Sequence, residues 1–162
     1  MEHLTENLIW LLIAASVGSG MMAGLFIAFS TFMMKALSSL PNSEGIRAMQ
    51  AINRFIQRPS FFIVFMGTGL LCLFIIWLSY DDSEIAYITL SASFFYLMAC
   101  IASTIAFNVP LNNQLDTVNA DSKQGHDFWH KYLSVWTKWN HLRSIATLAT
   151  SILFALAISR LS

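Results

Sequence analysis

Charge is what this sequence has least of. Of 162 residues only nine are basic and nine acidic, 11% of the chain, where soluble domains average roughly 25%. The net charge is zero, so the basic footprint of a nucleic-acid-binding protein is missing. Cysteine is scarcer still. Cys72 and Cys100 are the only two, both inside apolar blocks and not in a CxxC, which reads as small core residues rather than a disulfide or a metal pair. No GxSxG, P-loop, GxGxxG or HExxH occurs, so hydrolase, NTPase and dinucleotide-binding chemistry have no support. Internal repeats and low-complexity tracts are absent too.

What is present is apolar. Hydrophobic residues make up 56% of the chain, mean hydropathy is +0.60, and these residues are gathered into blocks. The pattern implies an all-α integral membrane protein forming one domain over residues 1–162. Four transmembrane helices are expected, at about 8–34, 59–79, 85–107 and 141–160. The acidic start, with Glu2 and Glu6, and the long block that follows fit a retained span better than a secretory signal. In the first span Ser16, Gly20, Gly24 and Ala28 recur every four residues, a stripe of small residues that lets another helix approach closely. Gly67 and Gly69 suggest the same in the second span, and Ser91, Ser93, Ser103 and Thr104 of the third can bond backbone carbonyls.

Between spans one and two, Pro41-Asn42-Ser43 is a turn. It leads into an amphipathic, interfacial helix with Ile46, Met49, Ile52, Phe55 and Ile56 on one side and Arg47, Gln50, Arg54 and Gln57 on the other. Arg58-Pro59 opens the second span. Ser79 to Glu84 is a tight acidic loop, and Asn108 to Asn113 ends the third span. The connections between spans one and two and between three and four hold eight of the nine cations, Lys35, Arg47, Arg54, Arg58, Lys123, Lys131, Lys138 and Arg143. By the positive-inside rule both long loops are cytoplasmic and both termini outside, in a bacterial-type plasma membrane.

The chemistry-bearing stretch runs from Trp129 to Arg143. Three of the five tryptophans lie there. At helical spacing Trp129, Tyr132, Trp136, Trp139 or Asn140, and Arg143 share one face. Such a face suits a flat, oxygenated ligand; it equally suits an interfacial aromatic belt with snorkelling cations. Asn108 and Asn112, four apart, would either satisfy carbonyls around Pro110 or donate to a ligand oxygen. Arg143 and Arg58, at the mouths of spans four and two, are lipid contacts or oxyanion stabilisers. His126 and His130, also four apart, are a weak metal pair. His141 is the available general base.

Three segments carry a family resemblance: Gly24-Leu25-Phe26-Ile27-Ala28-Phe29-Ser30, Asn108-Val109-Pro110-Leu111-Asn112-Asn113, and Trp136-Thr137-Lys138-Trp139-Asn140-His141-Leu142-Arg143. In this order the chain resembles the anthrone oxygenase family. The resemblance implies a small four-span membrane protein and, in fungal members, oxidation of an anthrone to an anthraquinone by molecular oxygen. An anthrone has an acidic methylene opposite a carbonyl, and its anion reacts with oxygen directly. The matching residues then suggest His141 as base, with Asn108, Asn112, Asn140 and Arg143 as oxyanion donors. Trp136 and Trp139 would form the aromatic slot, with Phe26, Phe29 and Arg58 around the substrate. The expected partners are a hydrophobic aromatic small molecule and the lipid bilayer, with a homodimer allowed by the small-residue stripe. Alternatives are a binding or transport module that leaves its ligand unchanged, a helical subunit of a larger complex, and a haem or copper protein using His126, His130 or His141. The cofactor is otherwise open, none included.

Overall fold

The computed structural model describes residues 2–56, 58–80 and 85–161, with side chains from residue 6 onward. Asp81, Asp82 and Glu84 of the expected acidic loop, the side chains of Glu2 and His3, and Gln57 lie outside the described residues.

Four helices are long and apolar enough to cross a membrane, and the protein is a multi-pass membrane protein. The first is α1 (Glu2–Ala28), which passes through a π-helical turn (Phe29–Met33) into α2 (Met34–Ser38) without a break. Helix α3 (Asn42–Ile56) is amphipathic, and α4 (Pro59–Ser79) is the second span. Arg58 caps α4 in an extended conformation and Pro59 takes the first turn, where its missing N–H is not needed. The third span begins as α5 (Ala86–Phe94), continues through π-helical turns (Phe95–Ala102 and Thr104–Asn108), and ends as α6 (Val109–Thr117). The fourth is one helix, α7 (Lys123–Leu161).

Neighbouring spans run antiparallel. Ser16 meets Ser151 while Ser30 meets Ser144; Phe65 meets Tyr96 while Ser79 meets Thr89; Ala92 meets Thr150 while Thr104 meets Arg143. An up-down-up-down bundle results, with α3 lying across the end that carries both long connections. At the opposite end Trp10, Trp77, Tyr80 and Tyr87 are all 70–79% exposed, the placement of an interfacial aromatic belt.

The third span does not stop at Asn108. The rod runs on through Pro110 to Thr117: Pro110 falls in the first turn of α6, just after the widened turn, where a missing N–H is tolerated. The aromatic stretch is likewise no surface belt. Trp129, Tyr132, Trp136, Asn140 and Arg143 are all buried, and α7 continues through them into the fourth span.

Part of the small-residue stripe makes the expected helix contact and part does not. Ser16 and Ser151 exchange hydrogen bonds of 3.0 and 2.9 Å between α1 and α7, and Gly20 faces Ser151. Gly24 faces open space, as does Gly67, whereas Gly69 packs on Ile101. Gly45 is constrained by backbone and by an aromatic ring at once. A methyl there would sit 2.9 Å from the Leu37 carbonyl oxygen and 3.0 Å from the Trp129 ring. Gly45→Ala is therefore expected to lift α3 and destabilise the fold by about 1–3 kcal/mol. Gly24→Ala, free of contacts, is expected to gain up to about 1 kcal/mol of helix propensity. Unfolding midpoints in detergent check the pair; equal shifts would refute the packing of α3 on α7.

Candidate functional site

The π-helical turn in the first rod sets up the site. It faces Asn140 of α7, whose Nδ2 donates to the Phe26 carbonyl and to Ser30 Oγ, both at 2.7 Å. Asn140 Oδ1 accepts from Arg143 Nη2 at 2.9 Å, one helical turn on. Arg143 Nη1 donates to Thr104 Oγ1 of the third span at 3.3 Å. The guanidinium lies over the Phe26 ring at 4.5 Å and near the Trp136 ring at 5.1 Å, an attractive arrangement for a cation between aromatic faces.

Arg143 is 4% exposed. Among the described residues it has no carboxylate partner, and its Nε has no hydrogen-bond partner. A buried cation without a counterion is costly by several kcal/mol, more so at membrane depth. Such a residue is the natural centre of a candidate functional site.

Beside it lies a cavity of about 440 Å³, within the ~300–1,000 Å³ of small-molecule sites. Its walls come from all four spans and from α3. Arg143, Trp136, Phe26 and Phe29 form the inner part; Asn53, Asn112, Asn113 and Thr104 add polar groups; Phe61, Phe62 and Phe65 of α4 complete the aromatic wall. No carboxylate, histidine or cysteine is among the described residues that line it.

A ladder of rings stiffens the α7 wall. Trp129 stacks on Tyr132 and Tyr132 on Trp136, at 5.6 and 5.9 Å between centroids. Asn112 Oδ1 locks this ladder by accepting from Tyr132 Oη and Trp136 Nε1, both at 2.8 Å. Its oxygen is thus committed to the protein, which leaves the amide group as the donor toward the cavity. Asn112→Leu would strand two donors, at about 1–3 kcal/mol each, and free Trp136 to turn. The expected result is a loss of roughly 2–4 kcal/mol in unfolding free energy, recovered in part by adding Tyr132→Phe; full stability in Asn112→Leu would remove the ladder from the account.

The sequence-predicted residues divide. Phe26, Phe29, Asn112, Trp136 and Arg143 are brought together on the cavity. Asn140 stands directly behind, holding Arg143. Asn108 is also behind the wall: its Nδ2 donates to the Trp136 carbonyl at 3.3 Å and its Oδ1 is buried without a partner. The others are not brought in. Trp139 stacks flat on Phe107 at 3.6 Å on the outer side of α7. His141 is exposed, one position past the inward-facing Asn140, so its ring points away from the cavity. Arg58 is exposed and lies over Phe55. His126 Nε2 is 3.0 Å from the Ala120 carbonyl and His130 faces Asn42; among the described residues no three His, Cys, Asp or Glu side chains gather into a metal-sized group.

Asn53, Thr104 and Asn113 line the cavity without having been expected there, and Thr104 also bonds the Cys100 carbonyl as its position in the third span suggested. Asn53 carried a signal, since it follows Ile46 and Met49 at spacings of three and four and so shares their buried face. Phe55, expected on that face, is 64% exposed instead.

No curated relative and no solved structure matches the chain. One family model does. It covers residues 59–153, more than half of the chain, and is that of anthrone oxygenase. It takes in both asparagine segments and Arg143, the residues around which the cavity is built. The chain therefore belongs to the anthrone oxygenase family.

Proposed function

We propose that the protein is a membrane-embedded, oxygen-dependent oxidoreductase that converts a flat, lipophilic anthrone-type substrate to its quinone. The observation that carries this reading is the unneutralised Arg143 guanidinium at the inner end of an aromatic cavity. A cation that lacks a counterion among the described residues is matched by one on the ligand, and the enolate of an anthrone supplies it.

The chemistry balances without a protein electron carrier. The methylene opposite the carbonyl loses a proton to water at the rim marked by the exposed Asn113, and the negative charge collects on the carbonyl oxygen. Arg143 holds that oxyanion, with the Asn112 amide as a second donor. Oxygen takes an electron from the anion, the two radicals join at the former methylene carbon as a peroxide anion, and that anion takes back the proton released to water to become a hydroperoxide. Loss of the second proton from that carbon breaks the O–O bond, forms the new C=O and expels hydroxide, which is protonated to water. One oxygen molecule is reduced by four electrons, and one methylene is oxidised to a carbonyl by the same four. No step is assigned to His141. The rings of Phe26 and Trp136 supply the slot, and Asn140 and Asn108 position Arg143 and Trp136.

The cations of both long connections support an orientation with the cavity end of the bundle in the cytoplasm, in a plasma membrane. The test is oxygen uptake by the full chain in lipid vesicles given an anthrone. One oxygen consumed per quinone formed, at a rate well above protein-free vesicles, is expected. Uptake no faster than vesicles alone overturns the reading.

A second reading has an observation of its own. The described cavity wall contains no histidine or carboxylate to serve as a base, which favours a module that holds a lipophilic anion without changing it. Mass spectrometry of ligand recovered after incubation in air separates the two: quinone supports oxidation, unchanged anthrone supports holding.

A further inference from the structure

We infer that the ligand reaches the Arg143 cavity sideways, from the lipid, through a gap between α4 and the third rod. This rests on the reading that the cavity holds a lipophilic ligand, and it adds the route.

The exposed apolar residues on the cavity wall are Phe62 and Met66 of α4, and Ile105 and Val109 of the third rod. They are 47%, 43%, 60% and 39% exposed. They stand on two neighbouring spans and face each other across the mouth of the cavity. The two spans are fastened only farther along. Ser79 bonds Thr89, Ser93 bonds the Cys72 carbonyl, and Tyr96 bonds the Phe65 carbonyl at 3.0 Å. On the cavity side of Phe65 no hydrogen bond joins them among the described residues, and there the rods diverge.

The other approach is obstructed. Helix α3 lies over the polar end of the cavity, contributing Met49, Ile52 and Asn53 to its wall. Gln50 Nε2 pins it by donating to the Leu115 and Val118 carbonyls at 2.8 and 3.2 Å. Arg54 pairs with Asp116 at 2.8 Å, and Arg47 with Asp121. The gradient along the lateral route also fits one kind of guest. An apolar mouth admits a molecule already dissolved in hydrocarbon, and the charge at the inner end stops its oxygen-bearing edge.

The experiment uses the full chain in phosphatidylcholine vesicles with an azidoanthraquinone dissolved in the lipid, and follows photolabelling of cavity peptides over time. Met66→Trp/Ile105→Trp is expected to slow labelling at least tenfold while the final extent stays the same, which reports an intact cavity behind a narrowed mouth. Ile63→Trp, on the 71% exposed outer face of α4, is expected to label like the wild type. Arg47→Ala/Arg54→Ala, which unpins α3, is expected to change nothing. Labelling slowed less than twofold by the mouth variant, or accelerated by unpinning α3, overturns the lateral route. Absence of cavity labelling in the wild type overturns the route and the aromatic-ligand reading together. Mouth-dependent labelling supports the route even where no oxygen is consumed, and in that case only the oxidation reading falls.

Discussion

Replacing Arg143 with methionine is expected to reduce anthrone oxidation by about 100- to 1,000-fold, the usual effect of removing one oxyanion-stabilising donor, while leaving the fold standing. The two halves of this expectation have one cause. Arg143 is buried with no carboxylate beside it among the described residues, so without a ligand its charge is a burden on stability. Methionine fills much the same volume between Phe26 and Trp136 and is content in apolar surroundings. The structural cost is confined to Asn140 Oδ1, which loses its donor, and a stranded buried acceptor costs about 1–3 kcal/mol; Thr104 Oγ1 gives up one donor but still donates to the Cys100 carbonyl. That loss is offset by removal of the unpaired cation, so the unfolding midpoint should move by a few degrees at most. Arg143→Lys should fall between, because an ammonium can neither bridge Asn140 and Thr104 at once nor lie flat on two rings. Oxygen uptake in vesicles and thermal unfolding in detergent, measured on the same preparations, check both halves. A variant that loses stability and activity together would mark Arg143 as structural.

Sequence alone reached the bundle because helical membrane spans are written in composition: a helix satisfies its own backbone in hydrocarbon and needs only a long run of apolar side chains. It was less sufficient wherever two neighbouring positions compete for one direction. Trp139 and Asn140 both lie within reach of the face defined by Trp136, and only the packing decides that the amide turns inward and the indole outward onto Phe107. His141 follows from the same choice. Pro110 reads as a helix end by local rules, yet the turn of Thr104–Asn108 is widened ahead of it and the rod continues. π-helical turns have no simple sequence signature, and they shape two walls of the cavity here. Asn53 was hidden for another reason. A polar residue on an amphipathic helix is assigned to the wet side by type, while its spacing from Met49 puts it on the dry one.

The exchange Asn140→Asp tests the electrostatic argument from the opposite direction, and its comparison is Asn140→Leu. Asn140 is fully buried and makes three contacts: it donates to the Phe26 carbonyl and Ser30 Oγ and accepts from Arg143. Leucine removes all three. Hydrogen bonds between membrane helices average only about 0.6 kcal/mol, but the stranded groups here include a charge and a backbone carbonyl at a π-helical turn. A loss of about 2–4 kcal/mol is expected on the scale of unsatisfied buried groups, with activity falling as Arg143 is released. Aspartate also gives up the donors to Phe26 and Ser30, but it places a carboxylate 2.9 Å from a guanidinium that had none, taking the Asn140 Oδ1 position as its own. The fold should therefore be more stable than with leucine. Ligand binding should nevertheless fall about as far as in Arg143→Met, because the cation now has its counterion inside the protein and no longer requires one from the ligand. The double variant Asn140→Asp/Arg143→Met should bind no more weakly than Arg143→Met alone, yet be much less stable, since it buries a carboxylate with no partner. If Asn140→Asp binds and oxidises an anthrone as well as the wild type, the unmatched charge of Arg143 is not what holds the substrate.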